Sequence, residues 1–283
     1  MLRWKNGDSY LLNKFMIKAL FIFTGLTAVS FVLLPIYALF ARAIRESAWQ
    51  TASSPLIIDA LQLSLMTTFI SLLIILLIGT PLAYGLVHYS FRGQHLLATV
   101  LELPIVLPPA VAGLGLLMAL GRQSFIGRLI ETYFGYTIPF SEMAVIIAQV
   151  FVALPYYVRT AQVGFQNIAK PIEEAAQIDG ADWLARLRFI TLPLSRNALV
   201  SGMMLSWARA LGEFGATILF AGNLQGVTQT LPLLIFSIFE RDLNAAIWTS
   251  LILIMTAFLA LFLARWLSTQ NVSSLKEELA SEI

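Results

Sequence analysis

The chain has 283 residues, of which 58% are apolar and 12% charged, whereas soluble domains have about 45–50% and about 25%. This composition indicates a membrane protein and excludes an ordinary soluble domain. The formal net charge of +2 does not require a nucleic-acid partner. The sequence has no Cys, which excludes disulfides. Its two His residues lie outside any His/Cys cluster and indicate neither a metal site nor a cofactor.

Six apolar stretches are long enough to cross a bilayer core as helices, which requires about 20 residues each. They lie at about 16–41, 59–87, 98–120, 141–162, 196–221 and 245–267. All are longer than a barrel strand of about 9–11 residues, so we predict an all-α fold with six transmembrane helices. The first is also longer than the apolar core of a signal peptide, which is about 7–15 residues, so we interpret it as a span.

Lys and Arg residues between the spans predict the orientation, because cytoplasmic loops of membrane proteins are enriched in both. Most of them fall on the side of the two chain termini, so we expect both termini in the cytoplasm. The predicted organisation is a cytoplasmic N-terminal tail at 1–15, a membrane domain at 16–267 and a cytoplasmic C-terminal tail at 268–283. The residues at 163–195 then form the longest cytoplasmic loop.

The third stretch contains LELPIVLPPAVAGLGLLMALGR, in which Pro104, Pro108 and Pro109 interrupt the apolar run. Proline lacks a backbone donor and disfavours helix in the residue before it, so we expect a broken helix. Irregular backbone at membrane depth is tolerated where it lines a cavity or is buried in protein. Pro108 and Pro109 are therefore candidates for a translocation path, and a kink set by packing is the alternative.

The long loop contains EEAAQIDGADWLARLRFITLP, where charge is concentrated between two apolar stretches. Pro171 suits the first turn of a helix, and the acids Glu173 and Glu174 are favoured near its N-terminus. Gly180 then suits a turn, so we predict a short helix–turn–helix along the cytoplasmic face. Interfacial helices on lipid usually have a Lys/Arg-rich polar face, so the leading acids favour a protein partner. An amphipathic loop resting on lipid headgroups is the alternative.

The fifth stretch contains WARALGEFGATILFAGN, with Arg209 and Glu213 four residues apart and so on one face of a continuous helix. A charge inside the membrane is costly unless it is paired or hydrated, so we expect the two side chains to pair. Arg209 then offers positive potential to an anionic substrate, or the pair only fixes helix packing. Both interpretations stay open, and both residues are candidates for the translocation path.

Glu174-Ala175-Ala176, followed by Gly180 and then Ile190 and Leu192-Pro193, resembles the EAA motif of permease subunits of binding-protein-dependent ABC importers. The stretches ELPIVLPPAVAGLGLLMALGRQSFIG and ARALGEFGATILFAGN are similar to those of molybdate or tungstate permeases. The sulfate/thiosulfate permeases resemble them closely and share the LP-x-x-LP and ARALGE patterns.

This resemblance implies a type I importer permease with the MetI-like fold, in the cytoplasmic (inner) membrane as a multi-pass protein. It implies that the long loop is a coupling helix that docks on a separate ATPase subunit, through Glu173, Glu174, Ala175, Ala176, Asp179, Gly180 and Trp183. The implied partners are a dimer of cytosolic ATPase subunits, a second copy of this chain, a periplasmic or extracellular oxyanion-binding protein, and lipid. The sequence contains no G-x-x-x-x-G-K-[ST] phosphate loop, so we expect a non-catalytic subunit.

The expected function is ATP-driven import of molybdate or tungstate. Sulfate or thiosulfate is the alternative substrate, because molybdate, tungstate and sulfate are all tetrahedral dianions. An ion-coupled secondary transporter is an alternative from another class, but it requires isolated ionisable residues in several spans. A membrane enzyme requires a nucleophile–base or metal constellation, for which the sequence offers no candidate.

Overall fold

The computed structural model describes the backbone of residues 5–47 and 54–281, and the side chains of residues 14–47 and 54–262. In these residues all regular secondary structure is helical, which confirms the all-α prediction. Four helices in the described part are long and apolar enough to cross a membrane, and a strongly bent pair of helices is a fifth candidate.

In chain order the helices are α1 (Lys5–Arg45), α2 (Pro55–His88), α3 (Gln94–Val106), α4 (Pro109–Leu120), α5 (Phe125–Phe134), α6 (Glu142–Gln166), α7 (Lys170–Ile178), α8 (Trp183–Arg186), α9 (Leu192–Leu194), α10 (Arg196–Leu211), α11 (Gly215–Phe220), α12 (Leu231–Ile238) and α13 (Leu243–Ser281). A π-helical turn at Leu187–Thr191 joins α8 to α9. α1 begins within the predicted N-terminal tail, and α13 continues through most of the predicted C-terminal tail.

Two of the predicted spans are interrupted. The third consists of α3 and α4, whose axes differ by 115° across a two-residue break at Leu107 and Pro108. The interruption expected from the prolines is therefore present: Leu107 has an extended backbone, and Pro109 begins α4, where its missing N–H costs no hydrogen bond. The fifth predicted span consists of α10 and α11, separated by Gly212–Phe214.

The core lies between α2 and α6, which run in the same direction. Near the middle of α2, Ser71 Oγ donates to Gln149 Oε1 at 2.8 Å, and Gln149 Nε2 donates to Thr67 Oγ1 at 3.2 Å. Near the C-terminal ends of the helices, the rings of Tyr84 and Phe165 pack edge to face, with centroids 6.2 Å apart. A bilayer offers no hydrogen-bonding partner, so the buried polar groups of α2 and α6 satisfy one another across the helix interface.

α4 packs closely against α11. A Cβ atom added to Gly113 would lie 2.5 Å from the carbonyl oxygen of Ala216, and one added to Gly215 would lie 2.7 Å from Cβ of Pro109. Small residues allow two helix backbones to approach in this way. The two interrupted spans therefore pack against each other at their second halves.

We expect Gly113→Ala to destabilise the protein by about 1–3 kcal/mol, because the added methyl group must displace the backbone of α11. Gly115→Ala is the matched control on the same helix, since no atom lies within 4 Å of the position its Cβ would take. Thermal unfolding of the purified variants in detergent would measure both effects. Equal melting temperatures for the two variants would contradict the close approach of α4 and α11.

Candidate functional site

The segment between α6 and α10 has the predicted helix–turn–helix form. α7 has Pro171 in its first turn, and the chain reverses at Gly180, whose φ of +84° lies in the left-handed region that favours glycine. Asp182 caps the N-terminus of α8, because its Oδ1 accepts a hydrogen bond from the backbone N–H of Ala185 at 2.7 Å. We call residues 170–191 the coupling segment, after the role that the resemblance to ABC importer permeases implies for them.

The coupling segment presents both acidic and apolar side chains on its outer surface. Of the predicted docking residues, the exposed ones are Glu174, Ala175, Asp179, Gly180 and Trp183, whereas Glu173 and Ala176 are half-buried. The apolar side chains of Ile178 and Phe189 are also largely exposed. Exposed apolar side chains rimmed by charge are typical of a surface that contacts another protein.

Behind the coupling segment lies a cleft of about 440 Å³ between α7 and the ends of α2 and α6. It is lined by Val87, His88, Tyr89, Phe165, Gln166, Ile168, Lys170, Glu173, Glu174, Gln177 and Arg186. Arg186 enters this cleft from α8, and its buried Nε makes no hydrogen bond to any residue that the structure describes. The two acids at the start of the motif therefore border a polar cleft as well as the outer surface.

His88 joins α2 to the coupling segment. Its Nε2 lies 2.8 Å from Oε1 of Glu173, its Nδ1 lies 3.0 Å from the carbonyl oxygen of Tyr84, and its ring stacks on that of Tyr84 with centroids 4.0 Å apart. Sequence reasoning considered the two His residues only as possible metal ligands and missed this contact. The sequence signal was an imidazole in the last turn of an apolar helix, which does not identify a partner 85 positions away.

The predicted pair inside the membrane is present, but not on one helix. Arg209 Nη1 lies 2.7 Å from Oε2 of Glu213, whose side chain is 1% exposed against 26% for Arg209. α10 ends at Leu211, so Glu213 lies in the break, where its Oε1 accepts a hydrogen bond from the backbone N–H of Ala216 at 2.7 Å. The carboxylate therefore balances a cation and satisfies a free backbone donor at the start of α11.

The structure brings the two helix breaks together. Gly215 follows Glu213 by two residues and packs on Pro109, which follows the break after α3. Pro108 and Pro109 are exposed, and Arg209 is partly so. The four candidate path residues thus border one region, with a buried carboxylate beneath a partly exposed guanidinium.

Within the described part of the chain, no group of three or more His, Asp or Glu side chains is arranged to hold a metal ion. A further charged pair joins Arg159 of α6 to Glu102 of α3 at 3.9 Å, and both side chains are exposed. Glu102, near the start of the third predicted span, therefore contacts a neighbouring helix rather than the coupling segment.

Residues 75–276 match the family model described as the inner membrane component of binding-protein-dependent transport systems. The chain is 39% identical over 235 residues to the molybdenum transport system permease protein ModB of Mycobacterium tuberculosis, which covers 83% of this chain and 89% of that one. It is also 39% identical over 214 residues to the protein of the same name from Haemophilus influenzae, covering 75% and 93%. A probable sulfate transport system permease protein, cysT of Chlorokybus atmophyticus, is 34% identical over 245 residues, covering 85% of each chain.

Two solved structures share the fold. A chain of a bacterial ABC transporter involved in the import of the acidic polysaccharide alginate superposes with a TM-score of 0.74, covering 93% of this chain and 98% of that one at 14% identity. A chain of the MetNI methionine ABC transporter superposes with a TM-score of 0.60, covering 76% and 97% at 16% identity. These similarities confirm the predicted MetI-like permease fold.

We expect Arg209→Ala to destabilise the protein by about 3–5 kcal/mol, because it leaves the Glu213 carboxylate buried without its cation. Arg159→Ala, which breaks a pair of exposed side chains, is the matched control and should cost about 0–1 kcal/mol. Thermal unfolding in detergent would compare the two variants.

A second substitution tests the cause of that loss. Glu213→Gln removes the charge but keeps an oxygen for the backbone N–H of Ala216, so adding it to Arg209→Ala should recover part of the lost stability. If the double variant were less stable than Arg209→Ala alone, an unpaired buried charge would not be the cause.

Proposed function

Because the chain belongs to the family of inner membrane components of binding-protein-dependent transport systems, we propose that it is the permease subunit of an ABC importer for molybdate. It is a multi-pass inner-membrane protein of that family. The observation that best supports the substrate is the 39% identity to molybdenum transport permeases over most of the chain. Tungstate has the same charge and shape as molybdate and belongs to the same proposed substrate class.

The coupling segment is the proposed docking site for a separate ATPase subunit. Glu174 and Asp179 offer negative charge, and Ile178 and Trp183 offer exposed apolar surface, so the complementary surface would be an apolar groove with basic residues. The sequence has no phosphate-binding loop of the G-x-x-x-x-G-K-[ST] type, so ATP would be hydrolysed by the partner. In this proposal the coupling segment and both termini lie in the cytoplasm.

The transported anion would pass between two copies of this chain, in contact with the region where the two helix breaks meet. Two ATPase subunits would engage the two coupling segments, and a periplasmic or extracellular binding protein would deliver the anion. Arg209 would give this region positive potential, which the nearby Glu213 largely balances. A weakly attractive path suits transport, because tight binding midway slows release.

Sulfate is the second candidate substrate, favoured by the 34% identity to a probable sulfate permease. Sulfate is also a tetrahedral dianion, so a path that relies on Arg209 and on helix breaks would attract it equally. In importers of this type the selection between such anions would fall to the binding protein outside the membrane.

Reconstitution in proteoliposomes with the cognate ATPase subunit and binding protein would test the function. We expect ATP-dependent uptake of radiolabelled molybdate. An excess of unlabelled tungstate should suppress this uptake, whereas the same excess of sulfate should not. Preferential uptake of sulfate would exclude the molybdate assignment. Uptake driven by an ion gradient, with this chain alone in the membrane, would exclude an importer powered by ATP.

Glu174→Lys should reduce co-purification of the ATPase subunit by about tenfold or more, because it reverses an exposed charge in the proposed interface. Glu131→Lys is the matched control, since this exposed Glu lies on α5, away from the coupling segment. Both variants should insert in the membrane at the level of the unmodified chain. Normal co-purification with Glu174→Lys would contradict the proposed docking site.

A further inference from the structure

We propose that the hydrogen bond between His88 and Glu173 links the coupling segment to α2 and conveys ATPase-driven displacement into that helix. His88 is then a positioning residue for transport, and this inference rests on the proposed docking of an ATPase at the coupling segment. The two adjacent acids of the motif have different tasks: Glu174 contacts the partner, and Glu173 contacts α2.

The geometry of the contact is that of a strong, oriented hydrogen bond. Nε2 of His88 and Oε1 of Glu173 are 2.8 Å apart, and the side chains are 14% and 18% exposed. Nδ1 of His88 also lies 3.0 Å from an oxygen, the carbonyl of Tyr84, so both ring nitrogens face oxygen atoms. Stacking on Tyr84 further fixes the orientation of the ring. The donor is therefore held in place by α2 itself.

The connectivity of the chain shows which helices move directly with the coupling segment and which do not. α7 is joined covalently to α6 through residues 167–169 and to α10 through residues 179–195, so these two helices follow any displacement of the coupling segment directly. α2 ends at His88, far earlier in the chain, and is linked to α6 and to the coupling segment only through non-covalent contacts. The hydrogen bond to Glu173 provides one at the last residue of the helix.

α2 connects the coupling segment to the opposite side of the membrane. Near its N-terminal end, Oγ of Ser64 accepts a hydrogen bond from the backbone N–H of Leu231 at 2.8 Å, at the start of α12. Ser64 and His88 are roughly 36 Å apart along the helix at 1.5 Å per residue, which is about the thickness of the bilayer core. A displacement of His88 along the helix axis would therefore reach α12.

The assignment separates Glu173 from Glu174 by burial. Both acids border the cleft, but Glu173 is half-buried against His88, whereas Glu174 is exposed. Loss of the Glu173 side chain should therefore spare the docking surface, and loss of the Glu174 side chain should spare the contact with α2. The two residues can be tested independently in the same complex.

The experiment uses the reconstituted importer with His88→Ala, Glu173→Ala and the double variant, and measures molybdate transported per ATP hydrolysed. We expect each single variant to assemble with the ATPase and to hydrolyse ATP, but to lower this ratio about fivefold or more. The double variant should be no worse than either single variant, because all three lack the same hydrogen bond. His95→Ala, at an exposed position on α3, is the matched control and should transport normally.

The conservative variant His88→Gln retains an N–H donor and should recover part of the molybdate transported per ATP hydrolysed. If the loss in His88→Ala came from packing in general, no such recovery would be expected. An unchanged ratio in both single variants, or losses that add in the double variant, would overturn the proposal. If His88→Ala failed to assemble, the same measurement on Glu173→Gln, which removes the charge at a partly exposed site, would decide in its place. Failure of the docking proposal itself is recognised separately, by normal ATPase association of Glu174→Lys.

Discussion

The structure depends on one constraint, which is that a polar group inside the bilayer must find its partner within the protein. Where a helix stops in the membrane, its free backbone donors need acceptors, and Glu213 supplies one to Ala216 while pairing with Arg209. The break after α10 is therefore possible because a carboxylate occupies it. The same constraint explains the hydrogen bonds of Ser71 with Gln149, which hold α2 against α6.

α2 and α6 form a central helix pair, called the frame below, against which the cleft, the coupling segment and the interrupted spans are arranged. At one end of this frame lie the cleft and the coupling segment, and at the other end α12 begins against Ser64. The interrupted spans pack beside the frame, with α4 against α11. α1 lies outside it: its most apolar window has no buried residue, and Ala43 packs near Ile247 of α13. The apolar surface of α1 is thus available to lipid or to a second copy.

Sequence patterns predicted the parts of this protein that follow from local chemistry. Proline stereochemistry predicted the break at Pro108, a left-handed turn was expected at Gly180, and the cost of a buried charge predicted that Arg209 and Glu213 pair. Sequence alone did not predict that α10 ends at Leu211, and the packing of Gly215 on Pro109 after this break joins residues that are distant in the chain. The contact of His88 with Glu173 was also not predictable, since it joins helices distant in the chain.

The π-helical turn at Leu187–Thr191 has a consequence for variation in sequence length. A π turn contains one residue more than an α-helical turn, and the hydrogen bond from the N–H of Leu192 to the carbonyl of Leu187 closes it. Removing a single residue there would restore ordinary helical geometry and rotate everything before it by about 100° relative to α10. Trp183 and Arg186 would then face different neighbours, although no side chain of the motif had been replaced. Homologues should therefore tolerate many substitutions in the π-helical turn but conserve the number of residues in it.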